Sequence, residues 1–254
     1  MKKTLLVIAV SLSLFACDKE KNKENVFKSD EVAVHGGKAW STITLDKKDV
    51  PQQLSLVLND AVLNSVPIGG IGDGHDGMHG NDLFAPLHSK ALATTPFQTI
   101  MLNWNQNGHE PAGVYDRPHF DFHFYTTTST EVMAYTDPVK MDQNIPSASY
   151  VPANYVAGPG VPMMGKHWID VNTPELHGQP FTQTLLYGSY DSKTVFVEPM
   201  ITLEFLKTTS NFERDIPQPA KFQKAGYYPT KLNIVKHDGV TEIRLEGFKY
   251  QKAG

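Results

Sequence analysis

Arg117-Pro118-His119-Phe120-Asp121-Phe122-His123-Phe124-Tyr125 is the larger part of Tyr115–Tyr125, an alternating stretch in which aromatic and polar or titratable residues interchange from His119 onward. Side chains of a strand point to opposite faces with a period of two, so this run reads as a strand. Phe120, Phe122 and Phe124 share the face that packs into a core, and His119, Asp121, His123 and Tyr125 share the other. Positions two apart lie roughly 6.6 Å apart along a strand and positions four apart roughly 13 Å. Neighbouring members of the polar face can therefore share one ion at bonds of about 2.0–2.2 Å, whereas His119 and His123 cannot unless the strand is bulged. The spacing points to Asp121 with one flanking histidine as ligands, or to one histidine as ligand with Asp121 orienting it.

Outward from this run, Thr99–Trp104 reads as a strand. Thr182–Tyr190 and Thr194–Leu203 flank a turn at Asp191-Ser192-Lys193. Lys231–Lys236 and Val240–Tyr250 flank one at His237-Asp238-Gly239, so the chain is expected to close on a second hairpin. Residues 31–45 read as one or two strands broken at Gly36-Gly37. Asp49 can cap a helix and Pro51 suits its first turn; Leu54, Val57, Leu58, Ala61 and Val62 recur at helical spacing up to Pro67 and Gly69-Gly70. With 19 glycines and 17 prolines spread along the chain, the expected fold is mainly β: an antiparallel sandwich or barrel with one short N-terminal helix.

A mononuclear metal ion needs more ligands than one strand supplies, and two distant segments offer them. His167 lies in Gly165-Lys166-His167-Trp168, after a Pro- and Gly-rich stretch. Glu198 lies in Val195-Phe196-Val197-Glu198-Pro199-Met200-Ile201, where a buried carboxylate is costly unless paired, hydrogen-bonded or metal-bound. His119 or His123, with His167, Glu198 and Asp121, then forms the expected centre for zinc or another divalent metal. Glu198 or Asp121 would be the catalytic carboxylate acting on a metal-bound water. Two other readings stay open. One is a protein that binds a metal or small ligand without catalysis. The other is a structural or stress-related homo-oligomer whose acids merely accept hydrogen bonds from imidazoles, Tyr125 and Trp168. His109, beside Glu110 and before Pro111, either joins the site or stabilises a turn, the turn being the preferred reading; His75 and His79, in the Gly-rich stretch 69–80, read as a solvated loop; Trp40, Trp104 and Trp168 read as core or pocket walls.

The 254-residue chain has 23 Lys+Arg against 27 Asp+Glu and one cysteine. No basic field exists to hold nucleic acid, and neither a disulfide framework nor a Cys-rich zinc site can form. No Gly-x-Ser-x-Gly elbow, phosphate loop, His-Glu-x-x-His helix or dinucleotide fingerprint is present. Met1-Lys2-Lys3 followed by an apolar run to Ala16 has the proportions of a secretory signal. Leu14-Phe15-Ala16-Cys17 resembles a bacterial lipobox. That resemblance implies cleavage after residue 16, a lipid on Cys17, and a partner membrane on the envelope side. Residues 17–30 would be the lipidated cysteine and a charged tether, and 31–254 a single β-rich domain outside the cytoplasm. Removing residues 1–16 takes Lys2 and Lys3 and shifts the net charge from −4 to −6.

Asn103-Trp104-Asn105, Gly108-His109-Glu110-Pro111, Pro118 to Tyr125, Met164-Gly165-Lys166-His167-Trp168 and Glu198-Pro199-Met200-Ile201-Thr202 together resemble an uncharacterised family of bacterial secreted proteins. The likeness spans roughly residues 95–205 and implies a shared site, with no reaction attached. Looser is the similarity to the histidine-metal centres of cupins and α-carbonic anhydrases, whose adjacent His-x-His this chain lacks.

Overall fold

Phe120, Phe122 and Phe124 are sealed in the main core, where their rings meet aliphatic side chains from a second sheet. The computed structural model that shows this describes residues 25–69 and 83–254. Cys17 with the signal-like segment, and the loop residues His75 and His79, lie outside the described residues.

In chain order the first elements are β1 (Asn25–Lys28), β2 (Val32–Val34), β3 (Gly37–Leu45), β4 (Pro51–Asn59), α1 (Asp60–Ser65), β5 (Leu83–Ala85) and α2 (Ser89–Thr94). Then come β6 (Thr99–Asn105), β7 (His119–Tyr125), α3 (Ser129–Met133), α4 (Pro138–Asp142), β8 (Tyr155–Val161), β9 (Gly165–Asp170), β10 (Gln183–Tyr190) and β11 (Lys193–Thr202). The chain ends with α5 (Leu203–Thr208), β12 (Asn211–Asp215), β13 (Gly226–Tyr228), β14 (Lys231–His237), β15 (Val240–Glu246) and β16 (Lys249–Gln251). One sheet runs β1-β3-β4-β15-β14-β12, with β2 also on β3; the other runs β5-β6-β7-β11-β10-β9-β8. The strand pairs are antiparallel. Both sheets have open edges, so the mainly β fold is an antiparallel sandwich and not a closed barrel.

Ile43, Leu54, Leu56, Leu58, Ile234, Ile243 and Leu245 of the first sheet meet Ile100, Leu102, Phe120, Phe122, Phe124, Val197 and Ile201 of the second. Each such side chain contributes about 1.5–3 kcal/mol on burial. The outer face of the second sheet is also covered. Val132, Tyr135 and Met141 of the α3–α4 region pack over Met101, Tyr125 and Phe196, while Tyr115 and Phe181 pack over Leu186 and Met200. Every residue of β7 is consequently buried.

The hairpins form where expected. Asp191 and Ser192 (φ 49° and 65°) join β10 to β11, and Asp238-Gly239 (φ 45° and 78°) joins β14 to β15, the positive φ pairs that favour strand twist across a two-residue loop. Three expectations are corrected. The helix expected from Asp49 is instead strand β4, with only Asp60–Ser65 helical. Leu54 to Leu58 are all buried in a strand between β3 and β15, so both faces are apolar enough to blur the strand period into a helical one. Pro51 opens the strand, a position where a missing N–H is tolerated. Second, the last hairpin ends at Glu246, and 249–251 pair separately with β13. Third, residues 25–28, placed in the tether by the sequence reading, form β1 and pair with β3.

Candidate metal centre

The register of β7 and its neighbours decides which polar groups meet. Phe196 pairs with Tyr125 and Met200 with Asp121, which sets Glu198 beside His123. Gly188 of β10 pairs with Phe196 on one side and with His167 of β9 on the other, bringing His167 to the same face. Gly188 is required here: a Cβ at this position would lie 1.8 Å from Phe196 Cε1. The Phe196 ring can therefore lie across Gly188, 4.9 Å from the His123 ring and 5.3 Å from that of His167.

His123 Nε2 lies 3.3 Å from Glu198 Oε1, and His167 Nε2 lies 3.6 Å from Glu198 Oε2. The first contact is close but not aligned as a hydrogen bond: neither His123 nitrogen nor Glu198 Oε2 has a hydrogen-bond partner. Bonds of about 2.0–2.2 Å to a tetrahedral ion place ligand atoms about 3.3–3.6 Å from one another, which is the spacing found. His167 Nδ1 faces Pro159 O at 3.3 Å. A carbonyl only accepts, so Nδ1 carries the proton and the Nε2 lone pair faces the carboxylate. Glu198 is 1% exposed and His123 0%. Burial, and then the charge of Asp121, push the Glu198 carboxyl well above its usual range. Burial and the neighbouring His167 push His123 down to about 3. Both shifts run towards the neutral forms, so burial disfavours an imidazolium–carboxylate pair here.

A second cluster lies two residues back along β7. His119 pairs with Asn105 of β6, and Asp121 with Asn103. The loop after β6 turns back at Gly108, whose φ of +73° and close approach to Tyr115 O leave no space for a Cβ. The His109 N–H then donates to Tyr115 O at 3.1 Å. His109 Nε2 lies 3.6 Å from Asp121 Oδ2, and His119 Nε2 lies 3.2 Å from Asp121 Oδ1. Asn105 Nδ2 donates to Asp121 Oδ2 at 2.7 Å and lies 3.4 Å from His119 Nε2. Burial alone would raise Asp121, but His119 and His109 outweigh it and hold the carboxyl well below its usual value. His109 is pulled down by burial and raised on balance by Asp121.

Among the described residues, these two groups each bring three donor atoms within 4.8 Å of one another. The five expected residues are all buried, but they do not form one centre. His123, His167 and Glu198 converge; His119 and Asp121 belong with His109, which the turn reading had set apart. The hydrogen-bond donors proposed for the acids point elsewhere: Tyr125 Oη donates to Met164 O at 3.0 Å and Trp168 Nε1 to Ser189 Oγ at 2.8 Å.

Comparison with protein-family models, with curated proteins and with solved structures finds no match for this chain.

Two further residues were given no role from sequence. The Tyr115 hydroxyl is buried without a hydrogen-bond partner, and burial followed by Glu175, Glu198 and Asp121 raises its pKa. Glu175 is buried, accepting from Thr173 Oγ1 at 2.6 Å while its other oxygen has no partner. Tyr115, expected as the first residue of the strand, instead precedes β7, which begins at His119, and Glu175 sits in no strand pattern; both lie in loops that fold over the sheet only in the tertiary structure.

Proposed function

We propose that this chain is an envelope lipoprotein, anchored through a lipid on Cys17, that holds a zinc-class divalent cation on His123, His167 and Glu198. One observation carries the metal reading: Glu198 is sealed between two imidazole Nε2 atoms at ligand–ligand distances, with His123 lacking any hydrogen bond of its own. A divalent ion would relieve the desolvation of that carboxylate and satisfy the orphaned nitrogen together. Two imidazoles and a carboxylate suit zinc better than calcium or magnesium, which favour oxygen-only shells.

Three protein ligands leave a fourth tetrahedral position. A water held there is acidified towards neutral pH, the chemistry of hydrolytic and lyase zinc sites acting on small polar substrates. A second reading, retention of the ion without turnover, is favoured by the burial of all three ligands.

Metal analysis of the full chain, purified without chelator, tests the proposal. Wild type retains one more equivalent of zinc than Glu198→Gln; equal content in both overturns the site. Azide added to the cobalt-substituted protein separates the two readings. A shifted visible spectrum marks an exchangeable position, and an unchanged one favours simple retention.

A further inference from the structure

The Asp121 cluster is built like the Glu198 cluster but shares no residue with it. His119 Nδ1 lies 2.6 Å from Arg117 O, and His109 Nδ1 lies 2.7 Å from Glu110 O. Carbonyl oxygens only accept, so Nδ1 of each ring donates outward and Nε2 is the nitrogen turned towards Asp121, the outer-sphere support typical of metal-binding histidines. Asp121, 6% exposed, presents Oδ1 to that point without a hydrogen-bond partner, while Asn105 steadies the other oxygen at 2.7 Å. His119 Nε2 lies 3.2 Å from Oδ1 and His109 Nε2 3.6 Å from Oδ2, and one donor atom from each of the three residues lies within 4.8 Å of the others, close enough for small shifts to close around an ion with bonds of about 2.0–2.2 Å. A bound ion would replace the long 3.4 Å contact between Asn105 Nδ2 and His119 Nε2.

We infer that His109, His119 and Asp121 form a second, separate divalent-cation site of the zinc class, entered from the His109 side. The His109 side chain is 15% exposed against 0% for His119, so exchange with solvent proceeds past it. Asp121 and His123 are two residues apart on one strand face, a step of roughly 6.6 Å. That exceeds the 3.5–4 Å of ions sharing a bridging oxygen. The chain therefore carries two mononuclear positions side by side on β7. The site stands independently of the function proposed above, since its ligands are different residues.

Titration of the metal-depleted full chain with cobalt(II), followed by absorption and calorimetry, tests it. Wild type takes up about two equivalents; His109→Gln and Asp121→Asn each take up about one, and their remaining equivalent disappears when Glu198→Gln is added. Circular dichroism of the metal-free variants checks folding. Because one change lies in a loop and the other in a strand, a misfolded variant leaves the decision to the other. The inference is overturned if His109→Gln and Asp121→Asn bind as much metal as wild type, or if wild type takes up one equivalent that Glu198→Gln abolishes. One equivalent lost in His109→Gln but kept in Glu198→Gln supports this site and removes the other.

Discussion

The cluster of His109, His119 and Asp121 and the cluster of His123, His167 and Glu198 use the same donor set, two imidazoles and one carboxylate, on the outer face of one sheet. Their electrostatics run in opposite directions. Asp121 keeps its charge because His119 and His109 stabilise it against burial, and Asn105 adds a hydrogen bond. Glu198 has no such help: its neighbour His123 is driven neutral, and the nearby Asp121 opposes ionisation further. Donor identity alone therefore does not set the state of a buried cluster; solvent access and the charge of the next cluster do. The histidines beside Asp121 favour its charged form, whereas burial and Asp121 both oppose that of Glu198.

The largest expected effect is on stability. At free zinc a thousand-fold above the dissociation constant, a bound ion stabilises the fold by about 4 kcal/mol. Chelation should lower the melting temperature of wild type clearly, and that of Glu198→Gln by less, since only an ion at the Asp121 cluster is then left to remove; equal shifts would show that the Glu198 cluster holds no ion.

The metal-free protein should next show opposite pH slopes, each at most about 1.4 kcal/mol per pH unit for one proton. Glu198 is raised when folded, so the unfolded chain releases that proton first. Stability falls as pH rises from the ordinary value of 4.5 towards the folded value. Asp121 is depressed when folded; its contribution is complete above the ordinary 3.8 and is lost as pH falls through the folded value. Urea melts across pH should lose the first slope in Glu198→Gln and the second in Asp121→Asn. If either variant keeps its slope, the contrast between the clusters fails at that residue.

Gly188→Ala should cost about 1–3 kcal/mol, because the added methyl overlaps the Phe196 ring. Since that ring abuts His123 and His167, metal uptake at the Glu198 cluster should fall with it while the Asp121 cluster keeps its ion. A variant as stable as wild type would show that Phe196 has another place to go. The smallest effect belongs to Asn105→Ala. Losing an outer partner of the carboxylate should weaken metal binding at the Asp121 cluster about 10-fold, at the low end for such groups, and leave the Glu198 cluster unchanged. Competition with a coloured chelator measures both.

Much of the fold was readable from local pattern. The Phe120-Phe122-Phe124 face, the two hairpin turns and the strand at Thr99 follow from a period of two and from turn residues that accept positive φ. Strand β4 was misread because a strand buried on both faces carries no polar alternation. For the site, Glu198 was legible as a carboxylate among apolar neighbours, and the incompatibility of His119 with His123 followed from strand rise. His109 was legible only as an alternative to a turn residue, because its ring reaches Asp121 through a loop reversal at Gly108 that leaves no periodic trace.

From the residues themselves came the choice of donors: which histidines and acids share a strand face, and that residues four apart cannot share an ion. Those facts are local, set by backbone geometry within one strand. Tertiary structure alone decided that this face is covered and that its donors gather into two clusters where one was expected. It also pushed one carboxyl below its ordinary range and the other above it. Burial and cross-strand register are properties of segments far apart in the chain, and the pKa of a buried acid depends on what those segments bring beside it.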